Sequence, residues 1–230
     1  MLKIGVLLSG CGVYDGAEIQ ETVLSLLAID QMGAQAVCLG IDEDQHHVIN
    51  HLTGEVQSEK RNMLVEAARI ARGEIKAISA ITPADIDALV IPGGFGSAKN
   101  FTTWAFDGPN GSIRSDVKIL LVNMVNVGKP ILALCVSPIV VAKALEGSLI
   151  QAKMTIGSKF SESPYSISDF EAGLGATGVE TVDCPLGEVL VDETNHIITA
   201  PCYMMNARIS DIHQNIQVAF EALKNMLNAH

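Results

Sequence analysis

The chain has 230 residues and a formal charge of −11, with hydrophobic side chains at 48% and aromatic ones at only 4%. An apolar share this large, carried mostly by Ala, Val, Ile and Leu, excludes a disordered chain and suits packed helices and parallel strands. The acidic balance argues against a nucleic-acid partner, whose phosphates demand a basic surface.

The apolar N-terminus, residues 1–8, is too short for a signal-peptide core with its cleavage site. The longest greasy run, residues 131–142, is broken by Ser137 and Pro138 and falls short of the roughly 20 residues a membrane span needs. No membrane partner is expected. The five cysteines, at 11, 38, 135, 184 and 202, include no Cys-x-x-Cys pair, which argues against a zinc knuckle or a disulfide framework. The resulting expectations are a reducing, cytoplasmic location, no metal and no cofactor.

Short apolar runs alternate with longer amphipathic stretches. Lys3–Leu8 reads as a buried strand stopped by Ser9-Gly10. Residues 18–32 carry Ile19, Val23, Leu26 and Leu27 at helical spacing, and Gly33 ends that helix. A strand over 36–39 follows, then a helix over 59–72 closed by Gly73, then a strand at Ala88–Ile91 cut off by Pro92-Gly93-Gly94. Next come a helix over 112–127, a strand over 130–134, and a helix over 136–145 in which Pro138 is tolerated because it lies in the first turn. The last third predicts a strand over 153–156, a Gly-rich connection, and a hairpin of 189–192 and 196–200 turning at Asp192-Glu193-Thr194-Asn195. A closing helix over 206–228 places Ile209, Ile212, Ile216, Phe220, Leu223 and Leu227 on one stripe. This alternation predicts one α/β domain over 1–230, a three-layer sandwich on a mostly parallel, flavodoxin-like sheet. In such sheets ligands bind beyond the carboxyl ends of the strands.

Cys135 stands between a strand and a helix, on a tight elbow that presents its sulfur to a helix N-terminus. The N–H groups and partial positive charge there favour a thiolate, and Ser137 with Pro138 fits a capped first turn. The alternative is a small buried hydrophobe. Gly93 and Gly94 let the backbone turn its N–H groups towards a ligand, so Gly94 and Val136 are candidate oxyanion donors. Glu18 and Glu21 are one helical turn apart near the start of the first helix. Glu21 reaches across the strand ends to Cys135, where a carboxyl beside a thiolate has a raised pKa and can shuttle a proton. An acidic first turn complementing the helix dipole is the alternative.

Gly16-Ala17-Glu18-Ile19-Gln20-Glu21-Thr22-Val23, Val90-Ile91-Pro92-Gly93-Gly94 and Ala133-Leu134-Cys135-Val136-Ser137-Pro138 together resemble the PfpI-like branch of the class-I glutamine amidotransferase superfamily. Residues 8–16, 48–55 and 69–74 further resemble the ElbB proteins, known as enhancing-lycopene-biosynthesis proteins or isoprenoid-biosynthesis glyoxalases. The resemblance implies a nucleophile elbow at Cys135, a carboxyl partner at Glu21 and an oxyanion donor at Gly94. It also implies a glutathione-independent, lyase-type glyoxalase that turns methylglyoxal or glyoxal into a hydroxy acid through a cysteine thiolate. One departure weakens the expected catalysis: many relatives place a histidine where Gly157 stands here. His51, in a loop with Asn50, is a distant substitute, and a polar surface loop is the other reading of that pair.

Gly10-x-Gly12-x-x-x-Gly16 misses a dinucleotide fingerprint by one residue and puts Asp15 where a pyrophosphate would lie. No motif supplies a glutamine pocket for amidotransferase chemistry. The other open reading is non-enzymatic: a protein that binds a carbonyl metabolite or senses oxidants through Cys135. Cys11, Cys202 and Tyr203 also follow strands, so both cysteines are candidates for the same pocket and for oxidative pairing or metal capture with Cys135. The apolar content leaves room for a homodimer interface.

Overall fold

The computed structural model describes residues 1–229. The chain opens with β1 (Lys3–Leu8), α1 (Ile19–Gln31), β2 (Gln35–Gly40), α2 (Met63–Ile70) and β3 (Ile75–Ala77). Its middle holds β4 (Ala88–Ile91), α3 (Trp104–Asp107), α4 (Ser115–Asn126), β5 (Ile131–Leu134) and α5 (Pro138–Leu145). The last part holds β6 (Lys153–Met154), α6 (Ile167–Ala176), β7 (Glu180–Thr181), β8 (Leu190–Asp192), β9 (Ile197–Ala200) and α7 (Ile209–Asn228).

Seven strands form the main sheet in the order β3-β2-β1-β4-β5-β9-β8. All neighbours are parallel except the β8–β9 hairpin. The middle strands β4, β5 and β9 are wholly buried, as uninterrupted apolar runs between two helical layers must be. Register is continuous through the centre: Ile4 pairs with Ala88, Leu89 with Ile131, and Ile131 with Ile197. Helices α1 and α7 pack on one another, as do α4 and α5, giving the expected layers. Strand order reverses between β1 and β4, which makes a crevice at their carboxyl ends. The loops after β1, β4, β5 and β9 all open there.

Five points differ from expectation. β6 does not join the main sheet; it pairs with β7 in a separate two-stranded sheet. The Gly-rich connection contains α6, whose buried Ile167 and Leu174 anchor it, because tertiary burial outweighs the poor helix propensity of Gly173 and Gly175. β3 extends the sheet by an edge strand that its three residues were too short to announce. Helix α1 turns a mixed face inward: Glu21, Thr22, Ser25, Ala28 and Ile29 are buried and Leu26 is half-buried, whereas Ile19, Val23 and Leu27 are exposed. Likewise Ile209 at the start of α7 is exposed while Ile212, Ile216, Phe220 and Leu223 are buried.

Leu132 has no solvent exposure at the centre of β5. Leu132→Ala is expected to cost about 2–5 kcal/mol in urea unfolding, the sum of lost transfer energy and the cavity left behind.

Candidate active site

β5 ends at Leu134, and the next residue turns sharply: Cys135 adopts φ 58°. This left-handed conformation costs a non-glycine residue about 1–2 kcal/mol. The elbow is held from several sides. The Cys135 N–H donates to Ala200 O at 2.9 Å. The Ser137 hydroxyl donates to Pro92 O at 2.6 Å and lies 3.0 Å from the Ser97 hydroxyl. Ser137 therefore makes no side-chain cap on α5. It ties the elbow to the β4 loop instead.

Glu21 comes to Cys135 from the first turns of α1. It has no solvent exposure. Its Oε2 accepts from Gly93 N at 2.8 Å and its Oε1 from Tyr203 N at 3.2 Å, and it lies beside the Cys135 thiol, near enough for each group to act on the other's ionisation. The closeness of the group is visible at Gly93: a Cβ there would stand 2.5 Å from Glu21 Oε2 and 2.8 Å from Cys135 Sγ. Gly94, at φ 98°, is equally constrained, since its Cβ would lie 2.3 Å from Gly16 O. Glycine at both positions lets the β4 loop pass between the carboxyl, the thiol and the loop before α1.

Burial, followed by the neighbouring Glu18 carboxyl, pushes Glu21 up to about 8, against the pull of the Tyr203 and Gly93 N–H groups. Burial also pushes the Cys135 thiol well above its ordinary range, and Glu21 adds to that rise. The N–H groups of Val136 and Gly94 face the sulfur and act the other way. Both shifts favour a neutral thiol beside a carboxyl pushed up to about 8. Desolvation and the Glu21 carboxyl oppose the thiolate that the helix N-terminus alone would favour.

The sulfur faces a narrow void of about 20 Å³ walled by Val13, Phe95, Tyr165, Phe170, Tyr203 and Met204, room for about one water molecule. Tyr165 meets Phe95 and Phe170 edge-on, with ring centroids 5.9 and 6.5 Å away. Tyr165 and Phe170 were invisible in the sequence, because they come from the segment around α6 that read as a connection.

The other candidate residues divide clearly. Glu18 caps α1, its Oε2 accepting from Glu21 N at 2.6 Å, and reaches the thiol only through Glu21. Cys202 is fully buried and close enough to Cys135 for each thiol to act on the other's surroundings. Its N–H is fixed by Asn215 Oδ1 at 3.0 Å. Cys11 instead lies among Asp15, Arg61, Glu66 and Arg69. All five cysteines are free thiols, and among the described residues no three His, Cys, Asp or Glu side chains could hold a metal ion.

His51 does not substitute for the missing histidine. Its ring packs on Tyr14 at 4.9 Å, Nδ1 lies 3.0 Å from Ile49 O, and Nε2 accepts from Tyr14 N at 3.3 Å. Asn50 serves its own loop, accepting from Leu52 N at 3.0 Å. At Gly157 the backbone has φ 134° and a Cβ would meet Met205 Sδ at 2.8 Å, so a histidine there would be strained.

This arrangement has relatives. A human protein named glutamine amidotransferase-like class 1 domain-containing protein 3, mitochondrial, is 37% identical over 218 residues, covering 93% of this chain and 79% of the human one. The rat ES1 protein homolog, mitochondrial, is 36% identical over 221 residues, covering 93% of this chain and 80% of its own. The chain belongs to the ES1 family of class-I glutamine amidotransferase-like proteins. No family model matches. Among solved structures, an isoprenoid biosynthesis protein with an amidotransferase-like domain from Ehrlichia chaffeensis superposes with a TM-score of 0.88 at 36% identity, over 99% of this chain and 100% of that one. It supports the ElbB-type resemblance of the motifs. Glyoxalase III from Candida albicans superposes with a TM-score of 0.63 at 15% identity, over 100% of this chain and 98% of that one, and so shares the fold. The ES1-family relatives also overturn the cytoplasmic expectation, since the human and rat proteins are both named as mitochondrial. Acidity and unpaired cysteines indicate a reducing compartment without saying which.

The strain at Cys135 has a direct test. In urea unfolding, Cys135→Gly is expected to be more stable than Cys135→Ala by about 1 kcal/mol, because only glycine adopts positive φ without penalty.

Proposed function

We propose that this ES1-family chain is a cofactor-independent, glyoxalase-type enzyme that converts a small reactive aldehyde such as methylglyoxal to its hydroxy acid. The observation that carries this reading is the buried contact of Glu21 with Cys135 beneath two backbone N–H groups that face the sulfur. The share of fold with a glyoxalase III supports it without specifying the substrate.

The thiol sulfur bonds to the aldehyde carbon while the carbonyl π bond opens, and the S–H proton passes to ionised Glu21. Charge developing on the oxygen is met by the N–H groups of Gly94 and Val136, and that oxygen then takes the proton from Glu21, which completes the hemithioacetal and leaves Glu21 ionised again. Glu21 removes the hydrogen from the carbon that bears sulfur and returns a proton to the neighbouring carbon through an enediol, leaving a thioester. Water cleaves the thioester, releasing the hydroxy acid and restoring the thiol. A carboxyl titrating near neutrality suits both directions of this proton traffic. No histidine is needed, because Glu21 takes the proton from the thiol directly.

The wild-type chain is expected to turn over methylglyoxal without glutathione, with Cys135→Ala abolishing turnover and Glu21→Gln reducing kcat/KM by about 10²–10⁴-fold. Glu21 must be ionised to act as base and titrates at about 8. The pH profile of kcat/KM should therefore rise about tenfold per unit on its acidic limb and level off above the Glu21 pKa. Stoichiometric loss of the thiol with no hydroxy acid formed would replace this reading with a carbonyl-binding or oxidant-sensing protein.

A further inference from the structure

The void at Cys135 holds little more than the reacting carbonyl, so the body of a larger substrate must lie outside it. Two open clefts border it. One, of about 430 Å³, shares the walls Val13, Tyr165 and Tyr203 and carries the Glu18 carboxyl. The other, of about 500 Å³, shares Phe95, Val136 and Phe170 and adds Tyr14, Trp104 and Lys99. Its size falls within the range of small-molecule sites, and its apolar walls with a single charged group have the usual make-up of one.

Lys99 gives the second cleft its chemical character. It sits on a π-helical turn, Ser97–Phe101, a rare geometry that recurs at functional sites. Its Nζ donates to Tyr14 O at 2.8 Å and lies 5.8 Å from the centroid of the Phe95 ring. Among the described residues it makes no ion pair. The carboxylate that acts on it, Asp15, already accepts from Ile49 N at 2.6 Å. A half-buried ammonium with two N–H groups left for a ligand, in a chain of net charge −11, attracts an anion locally. The flanking rings of Phe95, Trp104 and Phe170 offer faces and edges to an aromatic body. Glu18 gives the other cleft the opposite preference.

We propose that the Lys99 cleft binds the body of the substrate, and that the preferred substrates are aryl α-oxoaldehydes bearing an anionic group. The aldehyde reaches Cys135 past Val136, the ring packs between Phe95, Trp104 and Phe170, and the anion pairs with Lys99. This specificity rests on the aldehyde chemistry proposed for Cys135. The bond changes are those already given: sulfur adds to the aldehyde carbon, a proton moves between the two carbons, and water releases an aryl hydroxy acid with no oxidant or reductant.

The test compares kcat/KM for 4-carboxyphenylglyoxal with that for phenylglyoxal. The ratio in the wild type is expected to be at least about tenfold larger than in Lys99→Met, as for loss of a charge-assisted contact, and Lys99→Arg should restore most of it. Because Trp104 is in the cleft and is the single tryptophan, its fluorescence gives a second readout that needs no turnover. Titration with 4-carboxymandelate, the expected product, should give a saturable change that Lys99→Met weakens about tenfold. An unchanged ratio in Lys99→Met overturns the proposal even if every aldehyde is turned over. If no aldehyde reacts but the Lys99-dependent titration persists, the catalytic reading fails and the anion-binding cleft stands. If neither turnover nor a saturable titration is found, both fail.

Discussion

A carboxyl and a thiol held out of water against each other set the terms for everything else in this molecule. Either group alone would be an ordinary buried polar atom. Together, Glu21 and Cys135 meet the same low-dielectric space: Glu21 helps to hold the thiol protonated, while the thiol's contact eases the ionisation of Glu21 that burial and Glu18 oppose. The N–H groups of Gly93 and Tyr203 give each carboxyl oxygen a hydrogen-bond donor, which limits the cost of burying it. Helix-dipole reasoning, which favours an ionised cysteine at the start of α5, omits this desolvation. In the proposed reaction, proton transfer within the pair accompanies addition of the sulfur to a carbonyl, so the thiol need not be ionised beforehand.

The surrounding architecture serves to hold that contact. The parallel sheet brings the ends of β1, β4, β5 and β9 to one edge, and the strained backbone at Cys135 lifts its side chain out of line with β5. Glycines 93, 94 and 96 pass where any Cβ would overlap its neighbours. Ser137 secures the underside by bonding to Pro92 O and meeting Ser97. Helix α1 turns a mixed face inward to this end: it buries Glu21, Thr22 and Ser25 with Ala28 and Ile29 and leaves Ile19, Val23 and Leu27 facing out. A carboxyl delivered to the interior by a helix requires the face that bears it to turn towards the sheet.

The same features explain what could be read from the sequence. The central strands were legible because continuous apolar runs of four to six residues bounded by Gly or Pro have few other uses. The elbow followed from the residue types at strand ends, its carboxyl partner from helical spacing joined to the family resemblance, and Gly93, Gly94 and Val136 from the chemistry such an elbow needs. Residues brought in by long-range packing left no local signal. Tyr165 and Phe170 belong to a stretch rich in Gly and Ser, and which side α1 turns inward is decided by the site it serves. His51 misled because a histidine in a polar loop looks chemically available, although its ring is committed to Tyr14 and Ile49. Location was not legible at all, since charge and cysteine usage are common to reducing compartments.

In the proposed function, the small void at the sulfur admits one end of the substrate for chemistry, and the space beside it takes the rest by shape and charge. The proposed chemistry at the sulfur depends on the protonation of Glu21, which is directly observable. Infrared difference spectroscopy on protein labelled with ¹³C-glutamate, with Glu21→Gln as the reference, isolates its carboxyl band. The account predicts a protonated carboxyl at pH 6 that ionises with a midpoint near the Glu21 value of about 8. A Glu21 carboxylate already ionised at pH 6 would contradict it.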